Sequence, residues 1–236
     1  MATLRRAAFL NPGRDLAGGV DLARRAEALG YQSVWVTHGS GRDSFLVLAA
    51  YSAATTRLGL GNGVVPIYPR HPIAMAQAAL TLSELAGEIA DGAVLWLCSP
   101  GYVRDVAVPA LERGRARAGK TLAGFEIVAA VPLAISDDAP GALVAFRAEL
   151  ARYLTLPFYR AMLEASGLGK ELAAFDRSGE VAEGLTRAVG AVGAAEAGRS
   201  FVRAYREAGV TLPAIRPITF PDAPWYRRTL EEAARW

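Results

Sequence analysis

The chain has 236 residues, 52% of them hydrophobic and 21% charged, which excludes a disordered chain and supplies one sizeable core. Its formal charge is only +3, and arginines such as Arg24, Arg25, Arg113, Arg115, Arg117, Arg227 and Arg228 are scattered over predicted helix faces. Scattered helix arginines describe a solvated surface, so no nucleic-acid partner is expected. A single cysteine, Cys98, permits no internal disulfide, and no CxxC or His/Cys cluster offers zinc ligands, so a cytoplasmic location and no metal are expected. No apolar window approaches a membrane span, and the apolar run before Asn11 and Pro12 is too short for a signal peptide, so no membrane partner is expected either.

Along the chain, strand-like and helix-like segments alternate. Ala7 to Leu10 reads as a short strand, and Asp15 to Leu29 as a helix with Val20, Leu22, Ala23, Ala26 and Leu29 at helical spacing and Gly30 closing it. Ser33 to Thr37 is a second, β-branched strand that stops at Thr37, His38, Gly39 and Ser40. A helix from Phe45 to Ala54 follows, capped by Asp43 or Ser44, then a third strand from Arg57 to Val65 and a helix from His71 to Leu85 with Pro72 in its first turn. Ala93 to Leu97, a helix from Val103 to Ala118, and the long apolar run Phe125 to Ile135 repeat the unit. About 140 to 199 reads as a helical insertion with no new strand, interrupted by Gly167, Gly169, Gly179 and Gly190. The helix Ala194 to Ala208, the strand Leu212 to Ile218 and the helix Trp225 to Ala234 end the chain. Continuous apolar strands joined by helices predict a parallel α/β sheet with right-handed crossovers, and residues 1–236 read as one domain. Six strands are predicted, against eight in a complete (βα)8 barrel, whose chemistry sits in the loops after the strands.

Five segments taken in order carry a resemblance: GYQSVWVTHG, ATTRLGLGNGVVPIYPRHPIAMAQAALTLSELA, GEIADGAVLWLCSPGYV, FEIVAAVPLAISDD and YREAGVTLPAIRPI. Together the chain resembles the bacterial-luciferase-like superfamily of flavin and deazaflavin oxidoreductases. The segment with Pro66, Tyr68, Arg70, His71 and Pro72 is most similar to the coenzyme F420-dependent branch that includes methylenetetrahydromethanopterin reductases. The resemblance implies a TIM-barrel-like fold that holds F420 or FMN at the C-terminal ends of its strands and passes hydride to or from a small-molecule substrate. It places Thr37 and His38 beside the ring, with His38 the candidate acid or base, and puts a bulge with a non-proline cis peptide at Asn62, Gly63 and Val64. Arg70 stands between binding an anionic cofactor tail and pairing with a carboxylate. Ser99 and Gly101, just after a barrel strand, are placed near the ligand.

The chain departs from the family pattern after Leu85-Ala86-Gly87, which runs directly into Glu88-Ile89-Ala90-Asp91-Gly92. A fourth strand, an active-site loop and a fifth strand are expected between them, so roughly two βα units of about 40 residues each are missing by usual barrel size. In the family those loops hold much of the cofactor phosphate. A barrel shortened in this way exposes strand edges, and a homodimer that covers each gap is expected. The alternative to an enzyme is a catalytically reduced flavin- or ligand-binding scaffold. Simpler roles are expected elsewhere: Cys98 a buried inert thiol, His71 a capping or packing group, Glu88 and Asp91 a solvated helix end, Trp35 and Trp96 core, and Asp137 and Asp138 helix caps.

Overall fold

A computed structural model describes residues 5–11, 15–37, 44–63 and 92–236. Within them the order is β1 (Ala7–Phe9), α1 (Leu16–Ala28), β2 (Ser33–Val36), α2 (Ser44–Ala54), β3 (Gly59–Asn62) and β4 (Gly92–Leu95). Next comes α3, made of Pro100–Tyr102, a π-helical turn Val103–Ala107 and Val108–Arg117, then β5 (Glu126–Ile135). Four helices follow: α4 (Ala139–Tyr153), α5 (Pro157–Ala165), α6 (Gly169–Ser178) and α7 (Glu183–Val189). The chain closes with β6 (Ala191–Gly193), α8 (Ala195–Glu207), β7 (Leu212–Pro217) and α9 (Pro224–Ala233).

Every strand pairing is parallel, and the main path runs β3-β2-β1-β7-β5-β4. The sheet is a curled half-barrel with helices outside, a shortened TIM-barrel-like α/β fold. Strand β5 anchors it because it is apolar on both faces and buried from Ile127 to Ile135. One edge of β5 pairs with β7 from Val128 to Leu133, while the other pairs first with β4 from Glu126 to Ala129. The chain then leaves β4 at Leu97, whose φ of 56° turns it out of the sheet, and β6 takes over the vacated edge at Leu133 to Ile135.

Strand β6 corrects the expectation that 140–199 holds only helices. Three residues are too few to set up alternation, and Gly190 just before them reads as a helix break. The other boundaries fall within a few residues of their predicted places, except that α3 begins at Pro100 rather than Val103. The predicted helix His71 to Leu85 lies outside the described residues.

Alternation along the strands sorts side chains into two cores. Val34, Val36, Ile127, Leu133 and Ile215 face the helices, whereas Ala7, Phe9, Val128, Ala130, Leu212 and Ala214 pack inside the curl with Trp35, Val94 and Trp96. Buried tyrosines pin helices to strand ends: Tyr226 Oη accepts the Asn11 N–H at 2.9 Å, and Tyr205 Oη donates to the Cys98 carbonyl. Local caps form as the sequence implies. Asp15 starts α1, Asp138 starts α4 through the Gly141 N–H at 2.9 Å, and Gly30 follows α1 at φ 81°. Asp137 does not share the cap of α4; its carboxylate pairs with Arg228 at 2.6 Å instead.

Glu27 on α1 fixes the entry to β3. Its Oε1 accepts the backbone N–H groups of Thr56, Arg57 and Leu58 at 2.8, 2.6 and 3.1 Å. Those bonds, the Arg57 N–H foremost, hold its carboxyl below the ordinary value of 4.5. With the folded value below the unfolded one, the contribution is complete above pH 4.5 and is lost as pH falls through the folded value. The gap in Tm between the parent chain and Glu27→Gln is therefore expected to be widest near neutral pH and to narrow toward about pH 3. Thermal melts across that range test it, and a constant gap would contradict the carboxylate's role.

Candidate functional site

The open end of the half-barrel, where the strands finish, collects a continuous row of inward-facing residues. Strand pairing sets Gly61 beside Trp35, Trp35 beside Phe9, and Arg216 beside Pro132. Because Ala8 pairs with Ile215, Phe9 and Arg216 also fall at one level. The row thus runs Gly61, Trp35, Phe9, Arg216, Pro132 across five strands.

Three aromatic rings form the floor. Phe9 meets Trp96 edge-on, with centroids 5.0 Å apart, and leans toward Trp35 at 6.2 Å. Glycines on β3 make room for this floor. A Cβ on Gly61 would stand 2.4 Å from the Trp35 ring, and one on Gly63 would stand 2.4 Å from the Phe9 ring. Trp35 and Trp96 belong to the inner core, as the sequence suggests, yet both stay only half-buried, so their faces are not fully covered.

Arg216 stands over this floor. Its guanidinium carbon is 5.4 Å from the centre of the Trp96 ring, a cation–π contact. Nη1 pairs with Glu149 Oε1 of α4 at 2.6 Å, and Glu149 Oε2 accepts the Thr219 N–H at 3.0 Å. Both residues are buried, Arg216 at 8% and Glu149 at 7% exposure. The pair therefore ties α4 to β7 and to the following loop, where Thr219 adopts a left-handed φ of 69°. Among the described residues Arg216 Nη2 is buried with no hydrogen-bond partner, leaving a permanently charged donor unspent. The Arg216 charge also reaches Tyr159 of α5, a half-buried phenol whose pKa is raised by burial first and then by neighbouring Tyr153 and Cys98, with Arg216 opposing.

The predicted site residues fall as follows. Thr37 is half-buried directly after β2, and by alternation with Val34 and Val36 it lies on the inner face with Trp35. Asn62 ends β3 opposite Val36, and the Gly63 N–H donates to the Val36 carbonyl at 3.0 Å. Ser99 is buried, and its Oγ accepts the Tyr102 N–H at 3.0 Å as the cap of α3. Gly101 sits inside that first helical turn. Among the described residues no peptide bond is cis, so the cis bond expected around Asn62 and Gly63 is absent from their own linkage. His38, Val64 and Arg70 lie outside the described residues, as do His71, Glu88 and Asp91.

Arg216, Glu149 and Tyr159 were not legible as site residues. One signal was present: Arg216 is the lone charge in the apolar run Leu212 to Ile218, at the same parity as Leu212 and Ala214.

Cys98 is the inert thiol its setting suggests. Burial pushes its pKa up to about 12, and its Sγ lies 3.3 Å from Met162 Sδ. A thiol-reactive dye at neutral pH is expected to label the chain only after unfolding. Labelling of the folded chain at the rate of a free thiol would contradict this burial.

A parallel βα half-barrel with helices outside defines a TIM-barrel-like α/β protein. The model of the family described as luciferase-like monooxygenase matches residues 1–86 and 83–212, and the chain belongs to that family. The two matched segments overlap at 83–86, next to the junction of Gly87 and Glu88. An uncharacterized protein of Mycobacterium bovis is 38% identical over 106 residues, 43% of this chain and 31% of its own length. A putative coenzyme F420-dependent oxidoreductase of Mycobacterium tuberculosis is 37% identical over 67 residues, 28% of this chain and 19% of its own length. These matches thus span a third or less of the curated relatives.

Among solved structures, an F420-dependent secondary alcohol dehydrogenase in complex with an F420-acetone adduct superposes with a TM-score of 0.73 at 14% identity, covering 99% of this chain and 98% of that one. The coenzyme F420-dependent tetrahydromethanopterin reductase of Methanopyrus kandleri gives 0.69 at 17%, with coverages of 99% and 98%. The oxygenating constituent of 3,6-diketocamphane monooxygenase of Pseudomonas putida, in complex with FMN, gives 0.58 at 14%, with coverages of 99% and 97%. At such identities the likeness is one of fold. Among the described residues no helix is long and apolar enough to cross a membrane, and no group of His, Cys, Asp and Glu gathers as a metal site.

Proposed function

We propose that the chain is an oxidoreductase that binds F420 or FMN in the mouth of the half-barrel and passes hydride between that cofactor and a small organic substrate. The observation that carries this reading is the buried, unpartnered Nη2 of Arg216 above the floor of Phe9, Trp35 and Trp96. A flat conjugated ring with carbonyl oxygens fits both features, because the aromatic faces exclude water and the guanidinium supplies a charged donor. Gly61 and Gly63 fit it too, since their missing side chains leave the rings of Trp35 and Phe9 lying against β3.

Either cofactor, when bound, supplies a ring atom that accepts or donates hydride. Arg216 donates a hydrogen bond to the ligand and stabilises negative charge there. Thr37 and the backbone of Asn62, Gly63 and Val64 flank the ligand, and Arg70 attracts its anionic tail. His38, directly after Thr37, holds or delivers the proton at the reacting centre. Ser99 and Gly101 shape the wall after β4, with the Ser99 hydroxyl serving through the α3 cap. A cytoplasmic homodimer, each copy covering the other's open strand edge, completes the proposal.

Absorbance and fluorescence titrations with F420 and with FMN test the reading. Saturable binding of either one is the expected result. No binding of either at tens of micromolar would overturn it and leave the scaffold reading. Binding without turnover of reduced cofactor would identify the catalytically reduced form of the family.

A further inference from the structure

A cavity lies at the opposite end of the sheet from the mouth, between α8, α9 and the outer face of β7. Arg6 just before β1, Arg206 at the end of α8 and the residues after α9 all mark the strand N-terminal end. The cavity has a volume of about 440 Å³, within the range of small-molecule sites. Five arginines line it, Arg6, Arg199, Arg203, Arg206 and Arg235, and among the described residues no Asp or Glu side chain does.

That charge is poorly compensated. Arg199 and Arg235 pair with Glu196 and Glu232, at 3.1 and 2.9 Å, but among the described residues neither Arg6, Arg203 nor Arg206 pairs with a carboxylate. Arg6 donates to the carbonyls of Ala233 and Ala234, and Arg206 to that of Arg5 at 2.9 Å. Arg199, Arg203 and Arg206 fall at i, i+4 and i+7 on one face of α8, a spacing at which like charges repel. Burial, with the Arg6 charge second, holds the Arg206 guanidinium below its ordinary value. With Arg199 paired to Glu196, it is Arg203 and Arg206, three residues apart on α8 and beside Arg6, that repel one another, and an anion bound between them would relieve that repulsion.

The cavity also has an apolar side. Val202 and Ile215 line it, and the Trp236 ring packs beneath Arg199, 6.0 Å from its guanidinium carbon. Among the described residues Trp236 Nε1 and Arg6 Nε are buried without partners, so two further donors remain unspent in its walls. Guanidinium groups match phosphate oxygens in geometry and charge, and an indole face suits a planar ring.

We infer that this cavity is a second ligand site, separate from the barrel mouth, for a small organic phosphate whose uncharged part is planar. The phosphate is held by Arg203 and Arg206 with Arg6 behind them, and the planar part lies against Trp236.

Calorimetric titration of the intact chain with AMP, pyrophosphate and adenosine tests this. AMP is expected to bind saturably, weaken as salt rises, and bind at least tenfold more tightly than adenosine. Arg203→Glu, at an exposed position, should weaken both AMP and pyrophosphate at least tenfold while circular dichroism stays unchanged. Trp236→Leu should weaken AMP and spare pyrophosphate. F420 or FMN binding in the mouth should be the same in both variants. The inference is overturned if neither AMP nor pyrophosphate saturates, if Arg203→Glu changes their affinities less than twofold, or if AMP binding is lost in a variant of Arg216 instead.

Discussion

Glu149→Ala is expected to destabilise the chain by about 3 to 5 kcal/mol, because it leaves the Arg216 charge buried at the inner wall without its carboxylate. For a chain of this size that corresponds to a fall in Tm of roughly 6 to 20 °C. The Thr219 N–H loses its acceptor in the same variant, so the loop between β7 and α9 loosens as well. The double variant Glu149→Met, Arg216→Met should recover most of the loss, since a buried ion pair replaced by apolar groups of similar volume is close to neutral. Urea denaturation of the three proteins measures both effects. A single-variant loss below about 1 kcal/mol would mean that water reaches the pair and that it is effectively a surface contact.

The double variant also separates stability from function. If Arg216 supplies the charged donor for the ligand, the refolded, stable Glu149→Met, Arg216→Met chain should bind F420 or FMN at least tenfold more weakly than the parent, about 1.4 kcal/mol or more, the size of a charged hydrogen bond. Titration of parent and variant side by side reads this directly. Equal affinities would assign the Glu149–Arg216 pair to structure alone and remove the main physical support for the ligand's position.

Much of the architecture was legible because it is local. The apolar stretch Phe125 to Ile135, the helical spacing of α1 and α8, the close of α1 at Gly30 and the cap Asp138 each depend on residues near one another in sequence. The short connection Leu85-Ala86-Gly87-Glu88 was visible as well, because the family resemblance leads one to expect further strands there. Strand β6 was not, since its three residues acquire their role only when Leu97 turns β4 off the edge of β5.

The site was legible only in part, for a related reason. Thr37 announces itself by following a strand and Gly63 through the family resemblance, and both lie where strands β2 and β3 finish. Arg216 matters because parallel register sets it level with Phe9 and because α4, far away in sequence, delivers Glu149 to it. No motif encodes that meeting. Ser99 shows the opposite case: a residue next to a barrel strand whose hydroxyl is already used to start a helix.

The most direct measurement is a crystal structure of the chain grown with saturating F420 or FMN. Planar density is expected over Phe9, Trp35 and Trp96, with Arg216 Nη2 within hydrogen-bond distance of the ligand. Ligand density elsewhere on the chain, with the mouth empty at saturation, would contradict it.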